Sequence, residues 1–263
     1  MLIRPPQPLL TQEGKTRPFD ATRYERFFER PWLNEAARKF LYEERRIDPR
    51  VVRWCRVTSW KDRDGVNWLQ IPYFNQKGKL VGVQNRNLVK GASPRFRFPS
   101  GSQCSIYNLP VLRMLRPGDE LYITEGCSDC WAMLSAGHKA IAIPSATLLT
   151  KKDVELFETL NGPSNATLSP RECSMVNVPL GRRTLATSSA LPLIRASASL
   201  KNGTQECSIS FHMWPDNDMP GERLFLQLQK VLPNLVHHQL PPGCKDFSEY
   251  YLTKISQYGQ SPL

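Results

Sequence analysis

Between residues 120 and 232 short apolar runs alternate with helical segments, and this alternation limits the possible folds more than any other feature of the chain. Residues 121–124 (LYIT), 140–143 (AIAI) and 209–214 (ISFHMW) read as strands, while stretches through 132–134, 152–160 and 221–232 read as helices. Short apolar strands that alternate with helices predict an α/β fold, a mostly parallel sheet covered by helices on both faces. The interval 161–207 follows neither period. Ser, Thr, Pro, Arg and Leu dominate it, and Glu172 and Glu206 are its only acids. It reads as an irregular insertion in a helix-to-strand loop, where added length costs little closure entropy.

The upstream chain is built differently. Residues 1–19 are rich in Pro, Gln, Thr and Lys without an apolar period and predict a flexible lead. A helix is expected over 21–46, with Leu33, Ala36, Ala37, Phe40 and Leu41 on its apolar face. The runs WLQIPY at 68–73 and LVGV at 80–83 flank the turn NQKG, a hairpin signal. In SPRFRFPSG, residues 93–101, Arg95 and Arg97 alternate with Phe96 and Phe98. That interleaving fits either a strand with basic groups on one side and buried aromatics on the other, or an ordinary amphipathic edge strand. The boundaries follow: a basic α+β unit at 20–116, then the α/β unit at 117–258.

Charge separates the same two regions. The net charge is +11, and residues 1–100 hold 21 of the 35 Lys and Arg but 10 of the 24 Asp and Glu. A one-sided basic surface concentrates polyanions such as nucleic acid, although a solvated basic face would look the same in sequence. The seven cysteines are scattered and odd in number, which argues against a disulfide framework. Cys127 and Cys130 form a C-x-x-C without the second pair of a zinc ribbon and read as buried helix-face thiols. His237 and His238 read as surface or strand-end residues. No apolar run approaches the roughly 20 residues of a membrane span. The opening MLIRPPQPLL lacks the continuous apolar stretch of a secretion signal, so a cytoplasmic protein without membrane association is expected. Walker A, H-E-x-x-H and G-x-S-x-G motifs are missing, which disfavours ATPase, zincin and serine-hydrolase chemistry.

Three acids fall just past the ends of expected strands, where open parallel sheets bind ligands. Glu125 follows the first strand and Asp216-Asn217-Asp218 the strand at 209–214. Residues i and i+2 of an extended segment point the same way, so Asp216 and Asp218 can present their carboxylates together. Adjacent carboxylates repel one another, and a bound divalent cation keeps them ionised. Hard oxygen donors select magnesium or manganese. A D-x-D by itself also arises in loops and helix caps.

The order of the whole set adds to this. An apolar strand, Glu125-Gly126, Asp129, Gly137, the strand ending at Pro144 with Ser145, and finally Asp216-x-Asp218-x-x-Gly221 resemble the Toprim signature of bacterial primases, topoisomerases and certain nucleases. Upstream, IPYFNQKGKLVGVQNRNL, SPRFRFPSG and NEAARKFLYEERRIDP resemble the RNA-polymerase-like subdomain preceding Toprim in bacterial-type primases, including those of phages and mobile elements. PPGCKDF at 241–247 is similar to the closing segment with its K-D pair. The resemblance spans about residues 24–160 and 208–252.

That resemblance implies a Toprim-type sheet preceded by a smaller α+β primase-type subdomain. It implies that Glu125, Asp216 and Asp218 are catalytic and hold Mg²⁺ or Mn²⁺, with Asp246 a further metal contributor. Arg86 and Arg95 are expected at template or nucleotide phosphate, and Lys245 at a triphosphate. Solvated side chains for Arg95 and Lys245, and helix caps for Asp129 and Asp246, are the alternatives. The implied activity is a primase-like DNA-directed RNA polymerase making short RNA primers on single-stranded DNA from ribonucleoside triphosphates. Primases of this family also carry zinc-binding and helicase parts, so a helicase or zinc-domain partner is expected. A Toprim nuclease and a non-catalytic nucleic-acid-binding module remain the other readings.

Overall fold

The computed structural model describes residues 17–144, 149–161 and 209–258. Most of the expected lead, Ser145, and the expected insertion beyond Asn161 lie outside the described residues. Phe19, at the end of that lead, stacks on Tyr24 with ring centroids 5.5 Å apart.

The first sheet is antiparallel in the order β1-β2-β3-β4, formed by Thr58–Lys61, Asn67–Phe74, Leu80–Asn87 and Phe96–Arg97. The predicted hairpin is its centre, with Ile71 opposite Gln84 and Tyr73 opposite Gly82. β4 is a two-residue edge strand; Phe96 on it is half-buried and Phe98, just beyond it, is exposed, so the aromatics are not buried as a row. The helix expected over 21–46 is divided. α1 covers Thr22–Glu29, and α2 (Glu35–Arg38) continues into a π-helical turn at Lys39–Glu44. Pro31 excludes helical backbone from Arg30, which adopts φ −129° and ψ 73°. The chain restarts at Asn34, whose side chain accepts the Ala37 N–H. α3 (Pro49–Trp54) begins at the Asp48 cap.

A 3₁₀ segment, Leu109–Met114, leads to the second sheet, whose strands are β5 (Glu120–Thr124), β6 (Lys139–Ala142), β7 (Ser210–Met213) and β8 (Val236–His237). Their order is β6-β5-β7-β8 and every pairing among them is parallel, as the strand–helix alternation predicts. The helices are α4 (Cys127–Ser135), α5 (Lys151–Asn161), α6 (Met219–Gln229) and α7 (Phe247–Tyr258).

Alternate strand residues serve opposite cores. Leu121, Ile123 and Ile141 join Phe157 of α5 and Leu224 and Leu228 of α6. Tyr122, Ala140 and Ala142 join Trp131 and Met133 of α4, Phe247 of α7, and Leu69, Ile71 and Tyr73 of the antiparallel sheet. One hydrophobic core thus runs from the first sheet to one face of the second. Leu121 and Ile123 are fully buried, each stabilising the fold by roughly 2 kcal/mol. Trp131 is also fully buried and donates its indole N–H to the Tyr107 hydroxyl at 2.9 Å. Cys127 and Cys130 are buried free thiols on α4; burial pushes the Cys127 thiol up to about 12. No helix among the described residues is long and apolar enough to cross a membrane.

Candidate active site

β5 and β7 are parallel neighbours, so their carboxyl ends open at the same edge. The chain leaves β5 into α4 on one face, whereas α6 after β7 packs on the other. Divergence of this kind opens a crevice between the two strand ends, the usual ligand position in an open α/β sheet. Glu125 and Asp216 both enter it.

The Glu125 Oε1 accepts the backbone N–H of Asp216 at 2.8 Å. The next N–H, that of Asn217, donates to the Lys245 carbonyl at 2.7 Å. Asp218 then caps α6, its Oδ1 accepting the Gly221 N–H at 3.1 Å. Lys245, exposed ahead of α7, places Nζ 3.9 Å from Asp218 Oδ2. Gly221 allows this crowding: a Cβ there would come within 2.6 Å of Glu125 Oε1. Gly126 does the same for Asp129, whose Oδ2 would lie 2.9 Å from an added Cβ.

Electrostatics follow from packing carboxylates together. Burial, and then Asp218 and Asp129, push Glu125 up to about 7 against the help of the Asp216 N–H. Burial and the neighbouring Glu125, Asp129, Asp246 and Asp218 push Asp216 up to about 8. Asp129 is raised by burial and by Asp246, although Ser248 donates both its N–H and its hydroxyl to Asp129 Oδ1, at 3.0 and 2.6 Å. Asp246 caps α7 through the Glu249 N–H at 2.9 Å while facing this group.

The geometry therefore brings Glu125, Asp216, Asp218, Lys245 and Asp246 to one sheet edge. Among the described residues, however, no three His, Cys, Asp or Glu side chains are arranged to hold a metal as they stand. Glu125 Oε1 is engaged on a backbone amide and Asp218 Oδ1 on a helix cap, so in each acid one carboxylate oxygen is used within the fold. The donor set still fits a hard divalent ion. All its donors are carboxylate oxygens, and two of the acids are held so that ionisation is opposed until positive charge arrives.

Arg86 approaches from the antiparallel sheet. Its guanidinium lies 4.7 Å from the Phe40 ring centre and 5.8 Å from Phe96, and Nη1 donates to Ser128 Oγ in the first turn of α4 at 3.4 Å. Burial, then Arg95 and Arg45, lower its pKa to about 10, which leaves it charged at neutral pH. Arg95 is exposed and stacks on the outer side of this group, 5.3 Å from Phe96, and Arg45 lies 5.6 Å from Phe40. Arginines and phenylalanines thus alternate beside the acids. The sequence singles out Arg86 and Arg95 but not Arg45, which sits at the end of the π-helical turn where no periodicity marks it.

His238 lies just past the end of β8, a strand-end residue as expected. It is half-buried, its Nε2 bonded to His212 Nδ1 at 2.9 Å, and it stacks on Trp214. His237 is exposed at the end of β8 beside Glu222, as expected.

No protein-family model matches the sequence, and no curated protein does. Solved structures do match in fold. The primase fragment of the bacteriophage T7 primase-helicase protein superposes with a TM-score of 0.52 at 14% identity, over 95% of this chain and 80% of that one. The E. coli primase catalytic core gives 0.52 at 14% identity, over 88% of this chain and 73% of that one. The Aquifex aeolicus primase, comprising zinc-binding and RNA polymerase domains, gives 0.53 at 14% identity, over 86% of this chain and 54% of that one. The chain shares its fold with bacterial and phage primase catalytic cores.

Proposed function

We propose that the chain is the catalytic core of a primase-like DNA-directed RNA polymerase, which makes short RNA primers on single-stranded DNA from ribonucleoside triphosphates. The observation that carries this reading is the meeting of Glu125 with the Asp216–Asp218 loop at the ends of β5 and β7, within a fold shared with primase cores. One solved neighbour, at a TM-score of 0.50, is a primase catalytic domain bound to single-stranded DNA.

In this reading the α/β unit at 117–258 is a Toprim-type domain and the basic unit at 20–116 its template-side companion. Glu125, Asp216 and Asp218 hold Mg²⁺ or Mn²⁺, with Asp246 contributing charge behind them. Bound there, divalent ions lower the pKa of a ribonucleotide 3′-hydroxyl and offset charge on departing pyrophosphate. The chain's own groups supply position and charge. Gly221 leaves the space in which Glu125 and Asp216 approach, Lys245 offers an exposed cation to a triphosphate, and the Phe40-stacked Arg86 offers a half-buried one to phosphate. Arg95 extends that positive charge outward along single-stranded DNA. A helicase or a zinc-binding domain is the partner class that such a core engages.

The test is to incubate the full chain with single-stranded DNA, Mg²⁺ and labelled ribonucleotides. Short RNA products that vanish in Asp216→Ala support the reading. Shortened DNA would make the chain a nuclease, and salt-sensitive retention without either product would make it a binding module.

A further inference from the structure

α4 and α7 begin side by side, and Asp129 and Ser248 hydrogen-bond across their first turns. Ser248 is buried in the first turn of α7, and both its backbone N–H and its hydroxyl donate to Asp129 Oδ1, at 3.0 and 2.6 Å. The amides of a first helical turn have no partner inside their own helix. Asp246 takes the Glu249 N–H and Glu249 returns a carboxylate oxygen to the Lys245 N–H at 2.7 Å, which fixes the helix start along its axis. Among the described residues Asp129 is the side chain from another helix that takes the Ser248 donors, and it ties that start sideways to α4. The consequence passes directly to the acids, because Lys245 precedes this turn and its carbonyl receives the Asn217 N–H at 2.7 Å. Asn217 stands between Asp216 and Asp218. The loop is therefore anchored on one side by Glu125 and on the other by a path running Asn217, Lys245, α7, Ser248, Asp129.

We infer that Ser248 is a positioning residue: its double donation to Asp129 locks the start of α7 to α4 and so sets the Asp216–Asp218 loop for its cation. The inference rests on the proposed cation role of Glu125, Asp216 and Asp218, and Ser248 itself touches none of them. Its removal deletes one hydroxyl, leaves the carbon skeleton, and keeps the backbone N–H on Asp129.

The experiment is Mn²⁺ titration of the full chain, followed by electron paramagnetic resonance at a temperature where circular dichroism shows every variant folded. Wild type, Asp216→Asn, Ser248→Ala, Asp129→Ala and the Asp129→Ala/Ser248→Ala double variant are compared. Wild type is expected to bind Mn²⁺ and Asp216→Asn to bind it poorly. Ser248→Ala should weaken binding about tenfold, the scale of outer-shell losses. With Asp129 already replaced, removing the hydroxyl should cost nothing further, since its partner is gone. A merely stabilising serine would not change affinity in a folded population. Wild-type affinity in Ser248→Ala, or losses that multiply in the double variant, would overturn the inference and leave the acid site standing. Failure of wild type to bind Mn²⁺ would remove the acid site first, and the inference with it.

Discussion

The Glu125 side chain holds the Asp216 backbone: Oε1 accepts its N–H at 2.8 Å across 91 residues of sequence. One carboxylate therefore both ties the loop down and contributes charge, and the two roles can be separated. Glu125→Gln keeps an oxygen acceptor for the amide but removes the charge. Primer synthesis is expected to fall by about 100-fold or more, as when a single electrostatic contact to a reacting group is lost. The fold should be retained, because the amide bond to Asp216 is kept. Activity assays beside thermal melts of the metal-free protein check both halves; full activity in Glu125→Gln would end the assignment.

Raised acid pKa values predict an unusual pH dependence of stability. Glu125 and Asp216 titrate at about 7 and about 8 in the folded chain, against roughly 4 for free carboxylic acids. Between those values the folded state holds protons that the unfolded state has released, so stability falls as pH rises. His138, His212 and His238 act oppositely, since burial lowers them below the ordinary imidazole value of 6.5 and their contribution is lost as pH falls below it. The acid effect is thus cleanest from pH 6.5 to 8. Urea midpoints in chelator should decline across that window, flatten in Asp216→Asn, and flatten with Mg²⁺. A midpoint that rises from pH 6.5 to 8 would contradict the packing of these acids.

Most of the parallel sheet was legible because its signal is local: β5, β6 and β7 are each a short apolar run, and α5 and α6 each carry one apolar face, whereas β8 is a two-residue exposed strand with no such pattern. The edge that gathers Glu125, Asp216 and Asp218 was legible for the same reason, since Glu125 directly follows β5 and the Asp216–Asp218 loop lies between β7 and α6. Pro31 and Asn34, which divide the first helical stretch, were also visible in the sequence, but the apolar spacing across them masked the break. What periodicity cannot carry is long-range satisfaction of single groups. Nothing in the spacing of Asp129 and Ser248 indicates that two donors from α7 meet one oxygen on α4, and nothing near Arg45 indicates that it faces Phe40 and Arg86. The engagement of Glu125 on a backbone amide was equally hidden, because a sequence shows which carboxylates can converge but not which backbone donors reach them first.

Gly221 offers a test of close approach. Alanine is the better helix former in the first turn of α6, by about 1 kcal/mol. Its Cβ would nevertheless sit 2.6 Å from Glu125 Oε1 and closer still to the Asp216 carbonyl oxygen. Neither the carboxylate nor the loop can give way without losing the bond between them. Gly221→Ala is expected to lose roughly 100-fold in primer synthesis, the cost of displacing a reacting group by about 1 Å. The decisive comparison is Mn²⁺ affinity together with activity, and a Gly221→Ala chain as active as wild type would show that the crevice is looser than its geometry indicates.

Arg86 and Arg95 separate by how each is held. Arg86 lies 4.7 Å from the Phe40 ring centre and touches Ser128, whereas Arg95 is exposed and lies over Phe96. A planar guanidinium stacked in this way is not replaced by an ammonium, so Arg86→Lys should behave nearly as Arg86→Ala, while Arg95→Lys should retain most of the wild-type affinity for single-stranded DNA. Each residue that contacts a phosphate also releases counterions on binding. Loss of one such contact should reduce the slope of log affinity against log salt by about 0.7 for a single strand. Fluorescence anisotropy with a labelled oligonucleotide across a salt series measures both quantities. An unchanged slope in Arg86→Ala would assign this arginine to packing between the two sheets and leave phosphate recognition to Arg95 and the surrounding basic surface.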